Sequence, residues 1–463
     1  MNKNEQIYDV AIIGGGIAGL MAAYTLIDAN PQLNIVLYEK GKALRNRLCP
    51  IVAGKSRECL KCKPCAIMEG MAGAGAFSDG KYIISSEYGG WLPEFMEHEE
   101  VLKYIHKADD ILIKFGATKD TYLPDNELKL KCLQHDLHMQ QAIVKHLGTD
   151  ANFNTMANLI DYLSDKIEIK TATEVIDIDI AGHDIKYINA NQETVANAKH
   201  ILIAVGRSGS RAFQKWCNKN NIPLANNQVD VGVRVEVPST IWEHFSKRIY
   251  EPKILYRTKQ YHDKVRMFCF NERGYVVTEN TQGVLTVNGH SFKDESRKSN
   301  NSNFALLSTI NFTEPFKEPI EYARSIASLA NQISGGSVLV QRFGDLINGK
   351  RTNEERLKES SVRPTLNAVA GDLSLCLPKR QLDNIIETIY ALDKVAPGMA
   401  NYDTLLYGIE CKYYSARPAC HNFEIDGTKN IYALGDGAGF TRSLSQAAAN
   451  GIIVAEEVLK SDL

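Results

Sequence analysis

Gly14, Gly16 and Gly19 form a G-x-G-x-x-G turn between an apolar run at 8–13 and a small-residue stretch that reads as a helix to about residue 28. In such a turn the first glycine permits the tight bend, the second lets the backbone approach a pyrophosphate, and the third lets helix and strand pack closely. The helix N-terminus adds unpaired N–H groups and a partial positive charge for a diphosphate. Glu39 lies 20 residues beyond Gly19, at the end of a second apolar run at 34–38. A carboxylate there accepts hydrogen bonds from an adenosine ribose. A glycine-rich turn alone says little, but strand, helix, second strand and acid in this order predict a bound dinucleotide.

The carboxyl-terminal region carries a second set of contacts. An apolar run at 430–434 ends in Gly435-Asp436-Gly437-Ala438-Gly439, and a last helix is predicted from about 445 to 459. Taken alone, Asp436 reads first as a helix N-cap, and only its place in the chain order of matches turns it into a cofactor contact. Another buried run at 200–205 leads into Gly206-Arg207. In chain order these segments resemble the flavin signatures of glutathione-reductase-type proteins, in which the terminal aspartate holds the ribityl chain. Val205 stands where that pattern has Thr. The resemblance implies that the dinucleotide is FAD. The cofactor-binding residues expected from it are Gly14, Gly16, Ala18, Gly19, Glu39, Lys40, Gly73, Gly75, Val175, Gly206, Gly435, Asp436 and Gly439. Phe440 stands where a third glycine would follow Gly435 and Gly437, so no second dinucleotide turn and no separate NAD(P)H domain are expected.

Cys49, Cys59, Cys62 and Cys65 place four thiols within 17 residues. The last three have the C-x₂-C-x₂-C spacing of an iron–sulfur ligand run, whose next position is Glu69 here; Cys49 could complete the set. Four thiolates suit tetrahedral zinc as well. A redox-active dithiol and plain structural thiols are the other two readings. Arg57, Lys61 and Lys63 interleave with the cysteines, and neighbouring cations lower thiol pKa values, which favours ligation and redox chemistry alike. A glycine-rich stretch at 73–81 follows at once. Small residues are needed where backbone lies against a planar ring or a diphosphate, so this stretch is expected along the cofactor, with the cysteines a short chain distance away.

The groups expected to anchor or protonate a substrate are Arg363, Arg417 and His290, with Arg342 as a further anion-binding candidate. His290 is placed in a turn after Asn288-Gly289, and its imidazole titrates near neutral pH. Each has a plainer reading, as a structural ion pair or a turn residue.

These residues need a frame. Alternating or apolar short runs at 229–237, 265–270, 274–278 and 283–287 predict strands, and helical periodicity covers 321–333 and 382–392. The span 93–163 reads as mostly helical, with 142–146 as one amphipathic piece, and 293–303 as the most loop-like stretch. The expected fold is α/β: a glutathione-reductase-type, doubly wound FAD-binding domain drawn from 1–90, 165–213 and 425–463. A helical insert at 91–164 and a mixed α/β substrate or cap domain at 215–420 complete it.

Across 463 residues, 53 basic and 55 acidic side chains leave a net charge of −2, with 23% charged and 44% apolar residues. That balance excludes a disordered or fibrous chain and gives no support to a nucleic-acid binder. The run at 11–27 is long enough to raise a membrane helix but is broken by three glycines, and no signal-peptide pattern opens the chain. No membrane association and a cytoplasmic location are expected.

Nearly end to end, the chain resembles the FAD-dependent dehydrogenases sometimes labelled NAD(FAD)-utilising. The likeness rests on the turn at 14–19, Cys49-Pro50 with the cysteine run, and residues 73–81, 303–307, 314–316, 341–346, 363–366, 405–408 and 435–439. It implies a flavin domain assembled from discontinuous segments and a mixed α/β substrate domain, and it names no substrate. The function expected is that of an FAD-dependent oxidoreductase acting on a small organic substrate, with NAD(P)H or ferredoxin as the candidate electron partners. Members often carry a further cysteine near position 69, where this chain has Glu. A flavin hydroxylase, a flavin-dependent RNA-modifying enzyme and a non-catalytic redox sensor are the alternatives.

Overall fold

β1 (Ile7–Ile13) is apolar and β-branched and buried along most of its length, as a strand covered on both faces must be. α1 (Ile17–Ala29) follows, then β2 (Ile35–Tyr38), paired parallel to β1. On the other side β1 pairs in parallel with the strand Gln192–Ile203, which pairs in parallel with Ile431–Ala433. Glu168–Lys170 extends the sheet beyond β2. An antiparallel meander, Thr173–Ile178 and Asp184–Asn189, feeds into Gln192–Ile203. The fold is mixed α/β.

The computed structural model describes residues 7–56, 60, 62–281, 283–292, 294–312 and 318–461. The chain divides into two compact units, one of residues 1–120, 145–227 and 414–463, the other of 121–144 and 228–413. The span 91–164 contributes helices His98–Lys114 and Thr149–Ser164 to the first unit, while Asn126–Leu133 and Leu137–Gln140 lie in the second. Ile143–His146 is a strand, not a helical piece. Its two β-branched residues favour extended backbone.

In the second unit an eight-stranded sheet is centred on Val229–Pro238 and its antiparallel neighbours Asn301–Ile310 and Leu405–Lys412. Val229, Val231, Val233, Val235 and Val237 join one apolar core with Ala323 and Ala327 of the helix Pro319–Ile333 and Ile385 and Ile389 of Lys379–Asp393. The alternate residues Asp230, Arg234 and Glu236 are just as buried. Arg234 donates to Glu410 at 3.2 Å, Asn303 at 2.9 Å and the Cys269 carbonyl at 2.7 Å. Glu236 accepts from Tyr407 at 2.5 Å, Thr365 at 2.6 Å and Asn301 at 3.1 Å. The hairpin Tyr275–Thr281 and Val284–His290 closes over this polar face: a Cβ on Gly289 would collide with Arg234, Asn271 and Asn303. Asn301–Asn303, expected in a loop, are therefore buried in a strand, because their amides satisfy charges that lie on the neighbouring strands.

His200 lies in Gln192–Ile203, 3% exposed, with Nδ1 lacking a hydrogen-bond partner. Burial, then the neighbouring His183 and Lys199, push its pKa down to about 4. In the unfolded chain it takes a proton near pH 6.5. The unfolded state thus binds more protons between about pH 6.5 and 4, and stability falls as pH drops through that window. Thermal melts of the His200→Phe variant over the same range are expected to lose part of this acid slope.

Candidate functional site

Tyr38, Ile13, Ile203 and Ala433 lie in one row across four adjacent parallel strands. The residues that follow each strand are therefore delivered to one edge of the sheet: Glu39, Gly14, Ala204 and, one residue later, Gly435. Ligands of open α/β sheets sit in the crevice beyond the carboxyl ends of such strands.

The contacts at this edge account for its glycines. Gly14 has φ +113°, and a Cβ on it would lie 2.5 Å from the Ala204 carbonyl oxygen. A Cβ on Gly19 would collide with the carbonyl oxygen of Gly14, and one on Gly437 with those of Val205 and Gly206. Gly16 and Gly206 differ: a Cβ on either would meet nothing within 4 Å among the described residues. α1 starts at Gly16 without a side-chain cap and without an acid in its first turn, so neither its cap nor its own first turn supplies a carboxylate to its first N–H groups.

Glu39 is 8% exposed and accepts from Gly15 N–H and Gly41 N–H, each at 2.8 Å. Asp436 opens a short turn, Asp436–Ala438, and accepts from the Thr441 hydroxyl at 2.7 Å. The cap of the last helix, Leu444–Lys460, is Ser443, whose hydroxyl accepts from Gln446 N–H at 3.1 Å. Ala18 packs against both Gly435 and Gly451. Lys40 pairs with Glu174 at 2.9 Å, and Val175 lies opposite Tyr187.

The glycine-rich stretch reaches the same edge. Gly73 has φ +61°, and a Cβ on it would lie 3.2 Å from the Gly16 Cα; Ala72 N–H donates to the Gly15 carbonyl at 2.8 Å. Gly75 lies under Leu444, and its carbonyl accepts from Asn152 at 2.8 Å. Asp79 and Lys81 pair at 3.2 Å, with His146 3.9 Å from the same carboxylate oxygen.

Arg47 carried no signal in the sequence, yet it organises this stretch. The guanidinium donates to the carbonyls of Ala66 (2.9 Å), Ile67 (2.7 Å), Met71 (2.6 Å) and Gly73 (2.7 Å) and lies over the Phe77 ring. Burial lowers its pKa to about 10. One side chain thus ties the backbone after Cys65 to the loop that touches Gly16.

Cys49 and Cys65 are half-buried and Cys62 is exposed; Cys59 lies outside the described residues. Among the described residues no group of three or more His, Cys, Asp or Glu could hold a metal ion. Glu69, at the position where an iron–sulfur ligand run would have its next cysteine, accepts from Cys65 N–H at 2.7 Å and so closes the turn at Cys65. Burial pushes five thiols elsewhere in the chain up, Cys132 and Cys420 to about 11 and Cys217, Cys376 and Cys411 to about 12.

Arg417 is in the first unit, paired with Glu94 at 2.7 Å and stacked on Phe95. Arg363 and His290 are in the second. Arg363 is exposed and donates to the Lys358 carbonyl, while the neighbouring Thr365 is the residue anchored to Glu236. His290 ends a strand instead of standing in a turn, edge-on to Phe292 at 4.5 Å. Arg342 is engaged by Asp403 at 3.3 Å and by the Arg356 carbonyl. No helix among the described residues is long and apolar enough to cross a membrane.

Residues 8–236 match the model of a family described as pyridine nucleotide-disulphide oxidoreductase, and residues 228–413 match one described as FAD-dependent protein, C-terminal domain-like. A protein of Clostridium beijerinckii described as uncharacterized is 26% identical over 469 residues, covering 97% of this chain and 80% of its own length. The mitochondrial L-2-hydroxyglutarate dehydrogenase of Dictyostelium discoideum is 41% identical over 59 residues, 13% of this chain and 12% of that one. Among solved structures, glycine oxidase from Geobacillus kaustophilus aligns over 99% of this chain and 96% of its own, at 12% identity and a TM-score of 0.42.

Proposed function

We propose that this FAD-dependent oxidoreductase moves a hydride between its flavin and a small organic substrate, with the cofactor seated at the strand ends of the first unit. The observation that carries the reading is the row of four strand ends that brings Gly14, Glu39, Ala204 and Gly435 to one edge. The fit for FAD is supported by the open space beside Gly16 and Gly206, the uncapped start of α1 and the buried carboxylate of Glu39.

In this reading Gly16 and the first N–H groups of α1 would hold the diphosphate. Glu39, kept in place by Gly15 and Gly41, would accept from the adenosine ribose, with Lys40 and Val175 on the adenosine side. Asp436, oriented by Thr441, would accept from the ribityl chain, and Gly73, Gly75, Gly206 and Gly439 would leave room for the cofactor. The cofactor, once bound, supplies the two-electron chemistry; the protein orients substrate and excludes water. Arg417, in the same unit as the strand ends, belongs to this reading as a substrate contact once its pairing with Glu94 opens, and Arg363 and His290 are proposed as substrate-binding groups of the second unit. Two of Cys49, Cys59, Cys62 and Cys65 would act as a dithiol relay, giving two electrons and two protons to the oxidised flavin as a disulfide forms between them and taking them back in the reverse step; the backbone after Cys65 is tied through Arg47 to the loop at Gly16.

The test is the purified protein itself. It is expected to be yellow, to release FAD on denaturation, and to bleach anaerobically with NADH, NADPH or reduced ferredoxin; a colourless protein that takes up no FAD overturns the reading. Iron and zinc assays on the same sample decide between metal and thiol in the cysteine loop. Arg47→Met should weaken FAD retention about tenfold or more. It leaves several carbonyls without donors, at about 1–3 kcal/mol for each that stays buried, and flavin fluorescence on dilution reads the loss.

A further inference from the structure

Two arginines of the first unit stack on the short turn Leu92–Glu94 and its flanks, and they differ in one respect. Arg417 lies over Phe95 and is neutralised by Glu94 at 2.7 Å. Arg442 lies 4.6 Å from the ring centroids of both Trp91 and Tyr414, which meet edge to face at 5.5 Å. The fork of N–H donors on Arg442 meets no carboxylate and no other hydrogen-bond acceptor among the described residues. The side chain is only partly exposed, so this is not an arginine extended into solvent.

Its place in the chain is specific. Thr441, the residue before it, donates to Asp436; Ser443, the residue after it, caps the last helix. The backbone N–H groups of Arg442 and Ser443 donate to the Gly89 carbonyl, and Trp91 N–H donates to Phe440. The Trp91 side of the aromatic corner is therefore fixed to the segment that carries Asp436. Ring faces hold a guanidinium in position without using its donors, and that edge matches a planar carboxylate with two parallel hydrogen bonds.

We propose that Arg442 is the anchor for the carboxylate of a small monocarboxylate substrate, a specificity-determining residue beside the flavin. The inference rests on the flavin reading above and adds the substrate class. Trp91 and Tyr414 keep the guanidinium where it is, and Glu94 is kept from competing because Arg417 occupies it.

The experiment uses FAD-loaded protein titrated with acetate, pyruvate and benzoate, with acetamide and benzamide as uncharged counterparts, read by changes in the flavin absorption bands. At least one acid is expected to give a saturable change that its amide does not. Arg442→Met should weaken that response at least tenfold with flavin content unchanged, and Arg442→Lys should keep part of it. If no acid perturbs the flavin, if acid and amide act alike, or if Arg442→Met responds like the parent, the proposal is overturned. It is equally overturned if Arg442→Met loses FAD while its loaded fraction binds the acid normally, which would make Arg442 a cofactor contact. A parent protein lacking flavin is a separate failure, that of the reading beneath.

Discussion

Gly19→Ala is expected to yield a folded protein that no longer holds FAD. The added Cβ would be driven into the carbonyl oxygen of Gly14, a backbone atom in the same turn, with Ile12 behind it. Neither side has a flexible chain end that could give way. Overpacking of this kind costs about 1–3 kcal/mol, and here the whole cost falls on the turn that would meet the diphosphate. At 3 kcal/mol the loss is about 100-fold in affinity. Flavin content after gel filtration, together with circular dichroism, separates loss of cofactor from loss of fold; an Ala variant that stays fully loaded would remove this turn from the cofactor site. Gly16→Ala is the informative companion. A Cβ there meets nothing within 4 Å among the described residues, so loss of FAD in that variant reports contact with the cofactor itself.

The second large effect is in the other unit. Arg234→Met should destabilise it by about 3–5 kcal/mol, because breaking a buried ion pair from one side leaves the other charge unpaired. Glu410 is 1% exposed, and Arg234 is its ion-pair partner at 3.2 Å. Burial already raises the pKa of the Glu410 carboxyl despite the opposing pull of Arg234, so without Arg234 it is expected to fold protonated. Stability measured by urea unfolding is then expected to fall as pH rises above about 4.3, where the unfolded carboxylate gives up its proton and the folded one keeps it. Adding Glu410→Leu to Arg234→Met should recover most of the loss, since apolar replacement of both partners is often close to neutral. A double variant no better than the single would mean that Asn303 and the Cys269 carbonyl, not the charge, set the cost.

The two units differ in how much of them could be read from residue order, and the reason is range. β1, α1, β2 and Glu39 form a local device: every requirement of the turn is met by residues a few positions away, so spacing alone predicts it. Asp436 is harder, since an aspartate after a strand also reads as a cap, and only the start of the last helix at Leu444, with Ser443 accepting from Gln446 N–H, gives that role to Ser443. Arg47 was invisible because its partners are main-chain carbonyls 19 to 26 positions on, and a carbonyl has no residue type.

The strand Val229–Pro238 is a sharper case. Valine alternating with polar residues reads as one face in the core and the other in water. Here the polar face is buried too, under the hairpin that ends in Gly289 and His290, and nothing local distinguishes a charge facing solvent from one facing Glu410 or Tyr407. The same long-range pairing explains why Asn301–Asn303, polar enough to read as loop, form a strand.

One consequence of the strand row concerns biosynthesis. Ile431–Ala433 and the helix Leu444–Lys460 belong to the first unit, while residues 228–413, from the second, are synthesised before them. On the ribosome the second unit has every segment it needs while the first still lacks a central neighbour for Gln192–Ile203 and the helix that packs on α1. Vectorial synthesis thus imposes a waiting period in which the amino-terminal glycine turn exists without its carboxyl-terminal counterpart. A stop codon a few dozen positions early would release a chain with one unit intact and the other permanently unfinished.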